Sequence, residues 1–182
     1  MDFDVICCGE SALKYSNTGN ITIGVNDCNK IYPVDYLVCV DLPSAFSKER
    51  FKTILNSKPK KFFSQLREWD NLVNNYEKIE FVNGSGLFND YDKKICYSNN
   101  SPFVACVMAY KLGARRINLY GADFNSHPNF IDVINLKKTL KDFNGLNKVL
   151  LSKGCNLYVT QESKLSAFIN VMAKSQSLFW SN

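Results

Sequence analysis

Short apolar runs separated by polar connections dominate the first part of the sequence. Each run is continuous rather than alternating with polar residues, which is typical of strands that are covered on both faces, as in a parallel sheet. Each run stops at a small or polar residue, where we expect the chain to leave the sheet. These runs predict strands at residues 5–9, 21–26 and 36–41.

The middle of the chain has a weaker pattern. Pro43 and Ser44 predict the start of a helix that runs to about residue 57, with Ser44 as its N-cap. Short apolar groups predict brief strands, and one segment with wider apolar spacing predicts a short helix. The predicted strands are at residues 62–63, 79–82 and 95–97, and the predicted helix is at residues 68–76.

The second half has the clearest pattern. Ser101 and Pro102 predict the start of a helix that is apolar on most of its surface and therefore buried, and Gly113 predicts its end. Ser163 predicts the N-cap of a last helix of about ten residues. Between them, the pattern predicts a strand at residues 117–121, a long helix at 132–152 and a strand at 157–159.

Strands that alternate with helices predict an α/β fold with a Rossmann-like open, mainly parallel sheet and helices on both faces. The 182 residues suffice for one domain, so we expect a single Rossmann-like nucleotide-binding domain over residues 1–182. No apolar run approaches the roughly 18 residues of a membrane span, and the acidic N-terminus does not resemble a secretion signal. We therefore expect a cytoplasmic protein without a membrane span.

The formal net charge is +5, and most of the positive charge comes from lysines that are spread along the chain. The tightest cluster, Lys58, Lys60 and Lys61, is too small to follow a nucleic-acid backbone, so we expect no nucleic-acid partner. A mild positive field does suit an anionic small ligand. The seven cysteines form no CxxC pair and there is one histidine, so we expect no metal site. The lysine- and asparagine-rich composition fits an AT-rich bacterial or viral genome.

Small and polar residues follow most of the predicted strands. Open parallel sheets bind ligands at the carboxyl ends of their strands, where such residues can hydrogen-bond a base, a ribose or a phosphate. Glycine also allows close approach of the backbone, and the first turn of a helix favours an anion. The same residue types suit plain turns and helix caps, and the sequence leaves both interpretations open. The candidate nucleotide-binding residues are Gly9, Glu10, Ser11, Asn26, Asp41, Ser98, Asn99, Ser101 and Gly121.

Two residues after the predicted strand at 117–121 are candidates for catalysis. Asp123 has a carboxylate that can bind a hydroxyl group or a metal ion, or can cap the next turn. His127 lies in the following loop, where a side chain that titrates near neutrality suits a general base. An ordinary exposed loop histidine is the alternative interpretation.

Several segments, taken in order, resemble small bacterial sialyltransferases. The turn after the first strand resembles their glycine-containing loop, and the second strand ends in asparagine as theirs does. The buried helix, the strand after it and its Gly-Ala-Asp-Phe ending also resemble theirs, and the same outline recurs in a group that includes archaeal-type pterin pyrophosphokinases. The matching segments are residues 9–14, 24–26, 38–41, 98–113, 117–124 and 160–168.

This sequence also departs from the pattern of those sialyltransferases. The loop lacks their first glycine and their proline, and Asp41 stands where they usually have asparagine. The segment between Phe124 and Cys155 is shorter than their catalytic lid.

The resemblance implies an enzyme that transfers a sugar from a CMP-activated donor to a glycan or small-molecule acceptor, with no cofactor required. It implies nucleotide contacts at the strand-end residues and a base role for His127. Two alternatives stay open: an ATP- and Mg²⁺-dependent diphosphokinase-like transferase with Asp41 and Asp123 near the metal, and a non-catalytic nucleotide-binding protein. Phe179 and Trp180 pack either on the domain or on a second copy, so a homo-oligomer through the C-terminal region is a further expectation.

Overall fold

The computed structural model of the protein describes residues 1–82, 94–96, 98, 100–125 and 133–173. Within these ranges the regular elements are strands and α-helices, joined by short turns. The strands are β1 (Asp2–Ile6), β2 (Ile21–Val25), β3 (Tyr36–Val38), β4 (Lys61–Ser64), β5 (Tyr76–Lys78), β6 (Glu80–Val82), β7 (Lys94–Cys96), β8 (Arg116–Tyr120), β9 (Asn156–Val159) and β10 (Asn170–Val171). The helices are α1 (Lys48–Leu55), α2 (Ser101–Lys111) and α3 (Val133–Ser152).

The strands form one parallel sheet in the order β10–β9–β8–β1–β2–β3–β4–β5, and β6 pairs with β7 separately. Phe3 of β1 lies opposite Ile21 of β2 on one side and Ile117 of β8 on the other. The chain therefore builds outward from β1 to β5 and then returns to the other side of β1. Such a switch point leaves a crevice at the carboxyl ends of β1 and β8, where open sheets bind ligands.

Neighbouring side chains of β1 enter two separate cores, because successive side chains of a strand point to opposite faces of the sheet. Val5 lies in the core that α2 and α3 cover, together with Phe103 and Phe143 of those helices. Ile6 lies in the core on the opposite face, together with Ile54 of α1. Both faces of β1 are thus buried, which explains the continuous apolar run in the sequence.

The predicted α/β class, with an open parallel sheet and helices on both faces, is confirmed. The buried helix α2 is also confirmed, and Gly113 follows it with a φ of +99°, the left-handed conformation that ends many helices. The assignment of residues 1–182 to one domain stays a prediction.

The start of the first helix was predicted wrongly. α1 begins at Lys48, and its N-cap is Ser47 rather than Ser44, with the Ser47 hydroxyl accepting a hydrogen bond in the first turn. Phe46 has an extended backbone with φ −99° and ψ 143°, and its ring packs edge-on against Trp69 at 6.0 Å. This extended residue interrupts the helical path and leaves only a 3-10 turn before it.

Two other predicted helices are mostly absent from the described residues. The segment at 68–76 forms a 3-10 turn, Arg67–Trp69, and then enters β5 through Asn75, whose φ is +58°. The last helix is a 3-10 turn, Lys164–Ala167, which Ser163 caps as predicted. In both places strand pairing at the edges of the sheet replaces the locally predicted helix.

Candidate functional site

Two glycines allow β1 and β8 to approach closely where both strands end. The amide of Gly9 donates a hydrogen bond of 2.9 Å to the carbonyl oxygen of Gly121. A Cβ at Gly9 would lie 2.5 Å from that oxygen and 2.7 Å from Asp123 Oδ2. Gly121 has a φ of +71°, and a Cβ there would lie 2.7 Å from the Cβ of Ala12. Neither position has room for a side chain.

Buried hydrogen bonds between Ser11 and Asp123 hold this junction together. The Ser11 amide donates to Asp123 Oδ2 at 2.9 Å, and the Ser11 hydroxyl donates to Asp123 Oδ1. The same hydroxyl accepts from the Gly121 amide at 3.0 Å and from the Thr160 hydroxyl at 3.1 Å. One donor and two acceptor positions are all that a hydroxyl has. Ser11 therefore connects the ends of β1, β8 and β9, and its hydroxyl has no capacity left over.

The loop after β9 holds the loop after β8 in place. The Ser163 hydroxyl donates to the carbonyl of Ala122 at 2.6 Å, and the Lys164 amide donates to the carbonyl of Asp123 at 3.2 Å. Phe124 has a φ of +56°, so the chain turns sharply directly after Asp123. We call the five residues Gly9, Ser11, Gly121, Asp123 and Thr160 the β1–β8 joint.

A second polar group lies at the ends of β2 and β3. Asn26 has a φ of +54°, and its amide donates to the carbonyl of Val38 at 3.0 Å. Its side-chain Nδ2 donates to Asp41 Oδ2 at 3.4 Å. Its Oδ1 is buried and has no hydrogen-bond partner among the described residues. Asn26 and Asp41, predicted separately from the sequence, therefore lie side by side.

Gln65, directly after β4, extends this group. Its Nε2 donates to the carbonyl of Val40 at 2.7 Å, which fixes the orientation of the amide. Its Oε1 is then a buried acceptor that finds no partner in the part of the chain that the structure describes. Because buried polar atoms are normally paired, leftover acceptors of this kind suit a ligand that donates hydrogen bonds, such as a hydroxyl or amino group.

Asp27 connects the end of β2 to α1 through an ion pair. Its side chain is 1% exposed, and Arg50 donates to its Oδ1 through Nε at 2.9 Å and Nη2 at 2.7 Å. Lys30 lies 3.1 Å from its Oδ2. Burial raises the pKa of Asp27, but the hydrogen bonds and charges of these two cations outweigh it and lower the pKa to about 2. We call Asn26, Asp27 and Asp41 the β2–β3 rim.

Cys8 lies between the joint and the rim. Its sulfur lies 3.4 Å from Asp27 Oδ1 and 3.3 Å from the carbonyl oxygen of Val25, and its one S–H hydrogen is shared between these two acceptors. Burial and the neighbouring Asp27 carboxylate raise the pKa of Cys8 to about 12. A thiol in this state is a poor nucleophile at neutral pH.

The N-terminus of α2 is the third group of the site. Asn100 is its N-cap, with the side chain accepting from the Phe103 amide at 3.1 Å, and the Ser98 hydroxyl accepts from the Asn100 amide at 3.1 Å. Ser101 is buried in the first turn. α2 packs across β1, β2 and β8 and runs back against them, so its N-terminus lies toward their carboxyl ends.

The structure groups most of the predicted site residues. Gly9, Ser11, Gly121 and Asp123 form one cluster, whereas Glu10 is exposed at the start of the turn after β1. Asn99 and His127 lie outside the described residues, so their roles stay predictions. Asp27 and Asn100 belong to the strand-end and helix-start groups that the sequence indicates, whereas sequence reasoning missed Gln65 and Thr160 as parts of the site, although Thr160 directly follows a predicted strand.

The described residues hold no group of three or more His, Cys, Asp or Glu side chains that could bind a metal ion. They also include no helix that is long and apolar enough to cross a membrane.

No protein-family model matches the sequence, and no curated protein matches it. The fold is similar to the sialyltransferase CstII from Campylobacter jejuni in complex with the substrate analogue CMP-3FNeuAc, with a TM-score of 0.57 and 15% identity over 95% of this chain and 86% of that chain. It is also similar to a variant of the alpha-2,3/8-sialyltransferase CstII, with a TM-score of 0.54 and 13% identity over 95% of this chain and 87% of that chain.

The fold of this chain is therefore similar to the fold of these sialyltransferases. Its relation to the sialyltransferases is distant, and it confirms at the level of the fold the resemblance seen in the sequence motifs.

Proposed function

We propose that this protein is a glycosyltransferase that uses a CMP-activated sugar as its donor. The observation that carries the proposal is the match of nearly the whole chain to the fold of a sialyltransferase in complex with a CMP-sugar analogue. The crevice at the switch point of the sheet supports it, because this is where open α/β sheets bind nucleotides.

The rim and the N-terminus of α2 are the proposed nucleotide subsite. Asn26 and Asp41 lie side by side and offer acceptor atoms to the hydroxyl groups of a ribose or the amino group of a base. Ser98 and Ser101 lie at a helix N-terminus, whose amides and dipole favour the phosphate. The β1–β8 joint acts as a scaffold, in which Gly9 and Gly121 let the ends of β1 and β8 approach each other closely.

His127 keeps its predicted catalytic role in this proposal, whereas Asp123 has a positioning role in place of the predicted catalytic one. Both oxygens of Asp123 accept hydrogen bonds from Ser11, so Asp123 positions the loop that leads to His127 rather than receiving a proton. His127, two residues after Asn125, is the proposed general base that deprotonates the acceptor hydroxyl. No cofactor is part of this proposal.

The thermal stability of the purified chain with nucleotides tests the donor assignment. We expect CMP and CMP-sialic acid to raise the melting temperature without Mg²⁺, because a ligand at about 100 times its Kd adds about 2.7 kcal/mol to the free energy of unfolding. UDP, GDP and ATP are the comparison nucleotides. A shift with ATP that requires Mg²⁺ would instead favour the diphosphokinase-like alternative, and no shift with any of them would contradict nucleotide binding.

The variant His127→Ala separates an enzyme from a non-catalytic binding protein. We expect it to keep the CMP-induced shift and to lower sugar transfer, or hydrolysis of CMP-sialic acid, by about 10²-fold or more, the usual contribution of a general base. Unchanged turnover in this variant would exclude His127 as the base. Nucleotide binding without turnover in the unmodified chain would leave the binding-protein alternative.

A further inference from the structure

Three neighbouring strands of the sheet begin at the edge opposite to the candidate site. β9, β8 and β1 are adjacent and parallel, so they start at the same edge, and the turns after α2 and α3 lead into two of them. The Arg115 amide donates to the carbonyl of Met1 at 2.8 Å, and the Asn156 amide donates to the carbonyl of Arg115 at 2.9 Å. We call this group the basal edge, and its members are Met1, Lys111, Arg115, Arg116, Leu151 and Lys153.

The basal edge is positively charged. Four of its six residues are cations, and one acid, Asp2, is present in the described residues 1–2, 111–116 and 151–156. Among the described residues, neither arginine of this edge forms an ion pair. Arg115 is exposed, and its Nη1 donates to the carbonyl of Lys153 at 3.3 Å, which brings cations from the two turns together.

Arg116 is held in position by its neighbours. Its guanidinium carbon lies 4.1 Å from the centre of the Tyr158 ring, and its Nε donates to Asn118 Oδ1 at 3.0 Å. Neither contact uses the two terminal nitrogens, which stay available to an anion. A guanidinium that is fixed in this way loses little conformational freedom on binding, and its paired donors suit the oxygens of a phosphate.

Exposed apolar side chains lie beside these cations. Leu151 is 46% exposed in the last turn of α3, although its neighbour Leu150 is fully buried, and Met1 is 66% exposed. Single exposed apolar residues are common on protein surfaces, but these two share one edge with the clustered cations. Apolar side chains among lysines and arginines are typical of surfaces that lie on anionic membranes, where the apolar groups enter the head-group region and the cations contact the phosphates.

The same residues suit a nucleic acid less well. Proteins that bind single strands offer aromatic faces to the bases, and the ring of Tyr158 is already stacked against Arg116. Contact with a phosphate backbone does not bury the side chain of Leu151, whereas a lipid surface removes it from water. The residue types therefore favour a membrane surface as the partner of the basal edge.

We infer that this protein binds the surface of membranes that contain anionic lipids. Leu151 enters the head-group region, and Arg115, Arg116 and Lys153 contact the lipid phosphates. β1 runs from the basal edge toward the candidate site, and its five residues hold that site about 13 Å further from the lipids, on the aqueous side. The inference goes beyond the proposed function and does not depend on it.

Co-sedimentation of the full chain with lipid vesicles tests this inference. The vesicles consist of phosphatidylcholine alone or of an equal mixture of phosphatidylcholine and phosphatidylglycerol. The test variant carries three changes, Arg115→Gln, Arg116→Gln and Lys153→Gln. The matched control lowers the net charge equally at three exposed lysines elsewhere, Lys48→Gln, Lys52→Gln and Lys58→Gln.

Two further comparisons sharpen the test. Leu151→Ala is compared with Leu72→Ala, because Leu72 is 44% exposed in another part of the surface. A double variant, Arg115→Gln with Lys153→Gln, leaves Arg116 stacked on Tyr158 and replaces the triple variant if that one does not fold. Lys48→Gln with Lys52→Gln is the control of the double variant.

We expect the unmodified chain to sediment with the anionic vesicles and not with phosphatidylcholine alone, and to be released as salt rises. The triple variant should bind the anionic vesicles at least about 30-fold more weakly and the double variant about 10-fold more weakly, while the lysine controls stay within about twofold. Leu151→Ala should weaken binding about threefold, and Leu72→Ala should leave it unchanged.

Several results would overturn the inference. The unmodified chain could fail to sediment with the anionic vesicles, or the basal-edge variants and their lysine controls could lose binding equally. Equal effects of the two leucine variants would contradict insertion of Leu151. Tighter binding to single-stranded DNA than to the vesicles at the same salt, or release from the vesicles by inorganic phosphate at constant ionic strength, would show that the edge binds a different anion.

Discussion

The β1–β8 joint and the β2–β3 rim lie at the same edge of the sheet but use polar groups in different ways. In the joint, the Asp123 carboxylate accepts from neutral donors, and the Ser11 hydroxyl uses its full hydrogen-bonding capacity. In the rim, Asp27 is paired with cations that reach solvent, and Asn26 has a buried acceptor atom left over. The joint therefore uses its polar groups within the fold, whereas the rim keeps a buried acceptor atom, which agrees with the ligand-binding role that we propose for it.

The largest expected effect comes from filling the joint. Gly121→Ala should lower the free energy of unfolding by about 3–4 kcal/mol, because the new Cβ combines a left-handed backbone with a contact of 2.7 Å to Ala12. Gly154→Ala is the matched control, since Gly154 has the same φ of +71° and nothing within 4 Å of a new Cβ. It should cost only about 1 kcal/mol. Urea unfolding measures both, and equal losses would show that the joint is not tightly packed.

The second test removes one carboxylate from each region. Asp123→Ala leaves the buried Ser11 amide and hydroxyl without their acceptor, which should cost about 2–3 kcal/mol of stability. Asp41→Ala should cost less than about 1 kcal/mol, because Asp41 is half-buried and its side-chain hydrogen bond with Asn26 is long, at 3.4 Å. Asp41→Ala should nevertheless weaken CMP binding about 10-fold. The reverse pattern, a stability loss at Asp41 and none at Asp123, would contradict the division between joint and rim.

The sequence predicts the sheet of this protein better than its helices, and the reason is burial. Strands that are covered on both faces leave continuous apolar runs, so β1, β2 and β3 can be recognised locally. By contrast, the ring of Phe46 packs against Trp69, which is distant from it in the sequence, and this packing decides where α1 begins. No local pattern contains that contact.

The same contrast applies to the site. The strand ends could be located from the sequence, because each follows an apolar run, and Asn26 and Asp41 were found this way. The hydrogen bonds between Ser11 and Asp123 join residues that are 112 positions apart, and the Asp27–Arg50 ion pair joins a strand end to a helix. Which polar groups satisfy one another, and which are left for a ligand, depends on these long-range contacts.

The acid sensitivity of the rim is a smaller effect with a defined sign. The pKa of Asp27 is about 2 in the folded chain, below its ordinary value of 3.8. Its contribution to stability is therefore complete above about pH 4 and is lost as the pH falls toward about 2, and it amounts to about 2 kcal/mol. Asp27→Asn should be less stable by this amount at pH 5, and the difference should shrink on acidification.

Urea unfolding of both forms between about pH 5 and pH 2 measures this difference. Glu77→Gln is the control, because Glu77 pairs with Lys61 at a surface where both side chains are about half exposed, and such pairs contribute little. A constant difference between Asp27→Asn and the unmodified chain at all pH values would show that the pair does not hold the Asp27 carboxylate in its charged form.

The last prediction concerns the reactivity of the Cys8 thiol, which lies between the β1–β8 joint and the β2–β3 rim. With a pKa of about 12, raised by burial and by Asp27, its thiolate fraction at pH 8 is about 10³-fold below that of an ordinary thiol. Iodoacetamide should therefore label Cys8 slowly in the folded chain and rapidly in urea, as followed by peptide mass spectrometry. Asp27→Asn removes one of the causes and should speed labelling of Cys8 while the free energy of unfolding at pH 8 falls by only about 2 kcal/mol. Fast labelling of Cys8 in the unmodified folded chain would show that solvent and reagent reach this thiol, and that the space between the joint and the rim is not tightly packed.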